Sequence, residues 1–234
     1  MSEASILISE DTKRNWDKLK EDGNDRLTRR ANKSRSQKII TPEGYVFAGS
    51  LPRFVEELKV AGHPIDNLVF SLCASYLEHN KVNERNKRRF FEEYAHYERV
   101  DVEVPRQILK NRQDDWLGFV YQSLTAEGSR ILKGLYYTKP AIVKEMLSDI
   151  RILKGEKFLD PCCGSGIFLL KVQHAQMEQL YGIDNDPLAV MIAKANLMVK
   201  FNESSVYPQI YQMDFLLHAA MRSLKETIPC AAAR

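Results

Sequence analysis

The stretch that most constrains this chain is Lys157 to Gly166, Lys-Phe-Leu-Asp-Pro-Cys-Cys-Gly-Ser-Gly. A short apolar run ends in Asp160-Pro161. A glycine–serine–glycine turn follows, and then an apolar helical pattern of Ile167, Phe168, Leu169, Leu170 and Val172. The order reads as buried strand, tight loop and helix, with the proline stopping the strand. Gly164 and Gly166 allow backbone angles closed to other residues and let a ligand come close to the main chain. A helix start behind such a loop offers unpaired N–H groups and the positive end of a dipole. The spacing predicts that this helix runs from Ile167 to Met177.

The same pattern recurs downstream. Leu180 to Asp184 reads as a second strand ending in a carboxylate, Pro187 to Phe201 as a helix, and Tyr207 to Met213 as a third strand followed by Asp214-Phe215. Alternating strands and helices predict an α/β fold on a parallel sheet with right-handed crossovers. Its ligand should lie outside the C-terminal ends of the strands, where Asp160, Asp184 and Asp214 all fall. Asp184 follows Asp160 by about 24 residues and can accept hydrogen bonds from two ribose hydroxyls. The loop lacks G-x-G-x-x-G, so the dinucleotide fingerprint is not met. One acid alone would pass as a solvated loop carboxylate. Three at consecutive strand ends point to a nucleoside-containing cofactor.

The first half reads as helical. Ser50 opens a helix carrying Phe54, Val55 and Leu58, stopped by Gly62-His63-Pro64. Helices are expected over Ile65 to His79, Asn83 to Arg99, from Pro105, and over Asp114 to Glu127. On the third of these, Phe90, Tyr94 and Tyr97 share a face with Arg85, Lys87, Arg88 and Arg89 near its start. Basic and aromatic interleaving suits nucleic acid. An amphipathic helix with a core face and a wet face explains it more simply. A further helix follows Thr138, with Pro140 in its first turn and Ile142, Val143, Met146 and Leu147 on one face; Gly155 breaks the chain before the opening strand. This divides the chain into a basic, partly disordered arm over 1–45, a helical N-terminal domain over 46–133, and a sheet region over 134–234.

Charge and cysteine usage narrow the classes. Net charge is +3, too small to demand a nucleic-acid partner, although residues 12 to 38 carry ten Lys or Arg against four Asp or Glu. Such an arm can attract phosphates or simply be solvated. Cys73, Cys162, Cys163 and Cys230 include no C-x-x-C, so no zinc site is expected, and reduced thiols in a cytoplasmic protein are the simplest reading. No apolar stretch approaches the roughly 20 residues needed to cross a bilayer.

With these residues in view, Asp160-Pro-Cys-Cys-Gly-Ser-Gly-Ile-Phe168 resembles the S-adenosylmethionine-binding motif I of N6-adenine DNA methyltransferases of restriction–modification systems. Leu135-Tyr-Tyr-Thr-Lys-Pro140 resembles their motif X, usually Phe-Tyr-Thr-Pro, with a lysine here between threonine and proline. Tyr181 to Pro187 resembles motif II, and Met213 to Leu216 motif III. Trp116 to Leu124 is similar to the helix before motif X in modification subunits. The likeness spans about Asp114 to Leu217, and the order X, I, II, III matches the arrangement with target recognition C-terminal. It implies a Rossmann-like methyltransferase sheet, incomplete at its C-terminus, behind an all-helical region. It further implies that Tyr137 and Thr138 contact the methionine part of S-adenosylmethionine. Asp160 would hold the amino group, beside Pro161, with Gly164 and Gly166 shaping the loop. Asp184 would bind the ribose hydroxyls, Asp214 the adenine amino group, and Phe215 would pack on the adenine ring. Asp186 is expected to cap the following helix.

Such enzymes flip their target adenine from the duplex and use a motif IV, Asn-Pro-Pro-Tyr or Asp-Pro-Pro-Tyr, to hold it. The 234 residues contain neither tetrapeptide, so no catalytic residue is assigned. The resemblance therefore implies a chain not competent alone, acting on DNA only within a complete enzyme. A second chain or subunit would supply the catalytic half and target recognition. The strand at Lys157 to Asp160 would then keep one bare edge, an association hazard. Two alternatives stand beside this: a non-catalytic cofactor-binding or interaction module, and a methyltransferase acting on RNA or protein.

Overall fold

A computed structural model of the chain describes residues 50–112, 114–125, 138 and 140–215. The expectations for the basic arm and for Tyr137 lie outside them.

Helix α1 (Ser50–Ala61) buries Leu51, Phe54, Val55 and Leu58 on one stripe, and Gly62 leaves it at a positive φ of 67°. Helix α2 (Ile65–His79) has the expected bounds and buries Leu68, Val69, Leu72, Cys73 and Tyr76 among others. Helix α3 (Glu84–Glu93) is capped by the Asn83 side chain, which accepts from the Arg85 and Asn86 N–H groups. Its aromatics are core as the simpler reading held: Phe90 and Tyr94 are buried and Tyr97 packs against them. The helix stops six residues before Arg99. Tyr94 donates its N–H to Phe90 and Tyr97 to Tyr94, a turn that keeps the two tyrosine rings 6.3 Å apart. The turn preserves the i, i+3 neighbourhood that a helix would give, so the spacing overstated the helix. Helix α4 (Arg106–Leu109) is a single turn after Pro105. Helix α5 (Trp116–Leu124) is buried from Trp116 to Tyr121 and capped by Asp115.

The second half begins with α6 (Pro140–Met146), whose first position Pro140 fills as expected. Val143 and Leu147 are buried, but Ile142 and Met146 stand exposed, so the apolar face is narrower than the sequence suggested. Strand β1 (Phe158–Asp160), helix α7 (Ile167–Lys171), strand β2 (Leu180–Asp184), helix α8 (Pro187–Lys200) and strand β3 (Gln209–Gln212) follow. Helix α7 ends six residues before Met177. Lys200 donates its ammonium to the Leu169 and Val172 carbonyls at 3.1 and 3.2 Å, satisfying groups that a helix end leaves open. Burial, then the neighbouring Lys171 charge, lowers the Lys200 pKa to about 8. His174 then takes a positive φ of 58°. Met177 sits in a 3₁₀ turn (Met177–Gln179) fixed by reciprocal Gln176 and Gln179 capping.

The strands are parallel in the order β1-β2-β3. Phe158 pairs with Leu180 and Asp160 with Gly182, while Tyr181 pairs with Gln209 and Asp184 with Gln212. Among the described residues β1 is paired on its β2 side alone. This is the Rossmann-like α/β arrangement expected, with helices ahead of it. The joining element is α8, buried at every position from Leu188 to Val199. Leu188, Met191, Ile192, Ala195 and Met198 complete the core of α1 to α5. Val190, Ala193 and Leu197 complete the sheet-side core with Val143, Leu169, Leu180 and Ile210.

Candidate cofactor site

Parallel strands bring their C-terminal ends to one edge, so Asp160 and Asp184, the last residues of β1 and β2, lie at the same end of the sheet. The loop after β1 is held there by backbone bonds. Cys163 donates its N–H to the Ile183 carbonyl at 2.9 Å, and Gly166 donates to the Cys163 carbonyl at 2.8 Å. Gly164 and Gly166 take φ of 52° and 88°, the left-handed region that favours glycine. The two glycines face different surroundings. A methyl group on Gly164 would meet nothing within 4 Å, so main chain is open to an approaching group there. A methyl on Gly166 would lie 3.2 Å from Ala193 Cβ, so that side is packed onto α8.

The second loop is tied to the first by Asp184. Its Oδ2 accepts from the Gly164 N–H at 2.8 Å and its Oδ1 from the Asp186 N–H at 2.9 Å. Each oxygen keeps a lone pair for a further donor. The Met213 N–H reaches the Asp184 carbonyl at 2.9 Å, drawing the end of β3 to the same place. As expected, Asp186 caps α8, with Oδ1 accepting from the Leu188 N–H at 3.1 Å.

Asp160 is the unusual member. Its Oδ1 accepts from the Cys162 N–H at 3.2 Å, while its Oδ2 is buried with no hydrogen-bond partner. Burial first, and the Asp184 charge beside it, push its pKa above the usual carboxylate value. An unpaired buried carboxylate oxygen costs free energy until a donor reaches it. The Cys162 thiol is raised by burial and then by the charges of Asp184, Asp160 and Asp214. The Cys163 thiol is raised by burial. Both shifts disfavour the thiolate, the nucleophilic form. The residues present fit a cofactor carrying a cationic amine and a diol: the amine for Asp160 Oδ2, the diol for Asp184.

Of the residues expected from sequence, Asp160, Pro161, Gly164, Gly166 and Asp184 form one connected set. Asp214 and Phe215 lie just past β3 and are partly buried. Thr138 is partly buried two residues ahead of α6, which packs against α7. Tyr137 is outside the described residues.

Sequence reasoning missed the groups behind the loop. Asp115, wholly buried, accepts from the Gly118 N–H at 2.8 Å and from Asn196 Nδ2 at 2.7 Å through Oδ1, and from the Ser165 hydroxyl through Oδ2. Asn196 also donates to the Ser165 carbonyl at 3.0 Å. Tyr121 donates its hydroxyl to Asp186 Oδ2 at 2.6 Å. The signal available was Asp115 directly before the apolar run of α5, an N-cap pattern. Nothing in the spacing says that the same carboxylate reaches Ser165, 50 residues on.

Residues 112–226 match the family described as N-6 DNA Methylase. The match covers just under half of the chain. It takes in α5, the glycine loop and all three strands, so Asp115 and Tyr121 fall within it as well. A type I restriction enzyme MjaIX methylase subunit of Methanocaldococcus jannaschii is 28% identical over 108 residues, covering 42% of this chain and 19% of that protein. A probable cobalt-precorrin-6B C(15)-methyltransferase (decarboxylating) of Pyrobaculum aerophilum is 38% identical over 66 residues, covering 27% of this chain and 34% of that protein. The chain thus spans between about a fifth and a third of the length of these curated relatives. No solved structure matches it. Among the described residues no helix is long and apolar enough to cross a membrane, and no group of three or more His, Cys, Asp or Glu could hold a metal ion.

Proposed function

We propose that this chain is the S-adenosylmethionine-binding part of a DNA methyltransferase that modifies adenine at N6 within a cytoplasmic restriction–modification system. The observation that carries the cofactor assignment is the unpaired Asp160 Oδ2 beside Asp184 and the open face of Gly164. The DNA and adenine assignments rest on the family of the methylase segment and on the printed description of the archaeal relative.

In this reading Asp160 takes the amino group of the cofactor, and the positive charge brings its carboxyl back down. Pro161 and Gly164 shape the main chain facing it, and Gly166 closes the turn onto α8. Asp184 accepts from the ribose hydroxyls with the lone pairs left by Gly164 and Asp186. Asp214 accepts from the adenine amino group, Phe215 covers the ring, and Tyr137 and Thr138 close over the methionine end. Bound there, the cofactor supplies an electrophilic methyl group on a sulfonium sulfur. This chain's residues bind and orient; the Asn- or Asp-Pro-Pro-Tyr group that holds the flipped base comes from a further segment or a second subunit.

Calorimetry of the chain with S-adenosylmethionine should show one site, lost in Asp184→Ala. Methyl transfer to duplex DNA should appear when a chain carrying the tetrapeptide is added. Binding without transfer in any such mixture would support the second reading, a cofactor-binding or interaction module. The local likeness to a cobalt-precorrin methyltransferase keeps the cofactor half of the proposal separate from the DNA half. Titration of duplex DNA and RNA at two salt concentrations tests the latter, since phosphate contacts weaken with salt.

A further inference from the structure

The cofactor reading uses the front of the two loops. Behind them, α5 touches both through side chains buried on its inner face. Asp115, at its N-terminus, holds the Ser165 hydroxyl and, through Asn196, the Ser165 carbonyl. Tyr121, on the next turns, holds Asp186, whose own N–H is bound to Asp184. Gly118 lies between them. A methyl group there would run into Asp115 Oδ2 and Ser165 Oγ, so α5 and the glycine loop pack with no room for a side chain. The helix is anchored on its far side by Trp116, wholly buried with its ring 5.3 Å from Tyr76 of α2.

We infer that α5 is a brace for the cofactor site: Asp115 is a positioning residue for the glycine loop and Tyr121 one for the Asp184–Asp186 loop. This rests on the cofactor reading above and deepens it. The brace makes the helical region part of the binding apparatus. A shift of α5 moves Ser165 and Asp186 together, and with them Gly164 and Asp184, which are bonded to each other. A carboxylate is well suited to the task. Its two oxygens accept from three donors on three separate elements, whereas an asparagine would reverse the Ser165 bond and replace a charge-assisted one with a weaker neutral one.

The brace is tested on the full chain with two readouts, S-adenosylmethionine affinity by calorimetry and amide hydrogen exchange of residues 161–168. The proteins are wild type, Asp115→Asn, Tyr121→Phe and Phe90→Leu, the last thinning the α3 core without touching either loop. Asp115→Asn should bind about tenfold more weakly, the cost of a misplaced binding group. Its loop amides should exchange faster, while its thermal midpoint does not drop as that of Phe90→Leu does. Tyr121→Phe should behave alike with a smaller loss. Phe90→Leu should lose thermal midpoint and keep affinity and loop protection. Wild-type affinity and loop exchange in Asp115→Asn would overturn the brace, as would affinity losses that track thermal midpoint across all variants. A wild type that binds no S-adenosylmethionine counts against the cofactor reading alone, and loop exchange then still decides the brace.

Discussion

Asp115 also makes a stability prediction that needs no ligand. The carboxyl is wholly buried, and burial lifts its pKa from 3.8 to about 6; the Ser165, Gly118 and Asn196 hydrogen bonds pull the other way without cancelling it. Asp114 beside it adds to the rise. For a carboxyl raised in the folded state, the folded protein holds the proton more tightly than the unfolded one. The stabilising contribution is then fully present below pH 3.8 and is lost as pH rises through about 6. The size of the loss is about 3 kcal/mol, at about 1.4 kcal/mol per tenfold change in proton affinity. Removing the charge removes this dependence. The unfolding free energy of Asp115→Asn minus that of wild type should therefore climb by about 3 kcal/mol between pH 3.5 and 7.5. Cys73 and Tyr76, which face Asp115, are both pushed up by burial and by Asp115 itself, so neither titrates in this window. Urea unfolding of both proteins across the range, taken as a difference, cancels the other carboxylates. A flat difference would mean that Asp115 is not a buried charge. A falling one would mean that its hydrogen bonds outweigh its burial and that the folded protein favours the ionised form.

Three further outcomes follow from the loop geometry. Gly182→Ala should destabilise by about 1–3 kcal/mol in urea unfolding, because the added methyl lies 2.7 Å from Ile210 Cδ1 and 2.9 Å from Cys163 Sγ; a neutral result would show that the sheet relaxes freely there. Gly166→Ala should weaken S-adenosylmethionine binding, since a φ of 88° and contact with Ala193 both oppose a side chain; unchanged calorimetric affinity would contradict this. Binding should also weaken as pH falls through the raised Asp160 pKa, because the cofactor's amine needs the ionised form, and Asp160→Asn should abolish that slope along with most of the affinity.

Much of the sheet region was legible because its signals are local. Leu180 to Asp184 and the helix from Pro187 are short periodic runs bounded by Pro, Gly or Asp, and they stand within a residue of their expected ends. The strand-end acids were legible for the same reason: a parallel sheet puts every strand's C-terminus on one edge, whatever surrounds it. Where the reading failed, a non-local group replaced a local one. Helix α7 stops where Lys200, 31 residues from Leu169, takes the carbonyls that its end leaves open, and Val172 and Met177 stay buried without a helix to carry them. Helix α3 stops where a tyrosine turn supplies the same packing.

The largest omission was Asp115, and its reason is instructive about where this fold keeps its specificity. As a cap it is worth about 1 kcal/mol and many residues would serve. As a buried carboxylate it opposes folding at neutral pH, since desolvating a charge outweighs the three bonds it receives. The charge is rational if the gain lies in the loop. The carboxylate accepts from Gly118, Ser165 and Asn196 at once, and so holds the glycine turn against α5 and α8 before any ligand arrives. The helical half and the strand-end site are in this sense one device, with α5 and α8 as its shared wall.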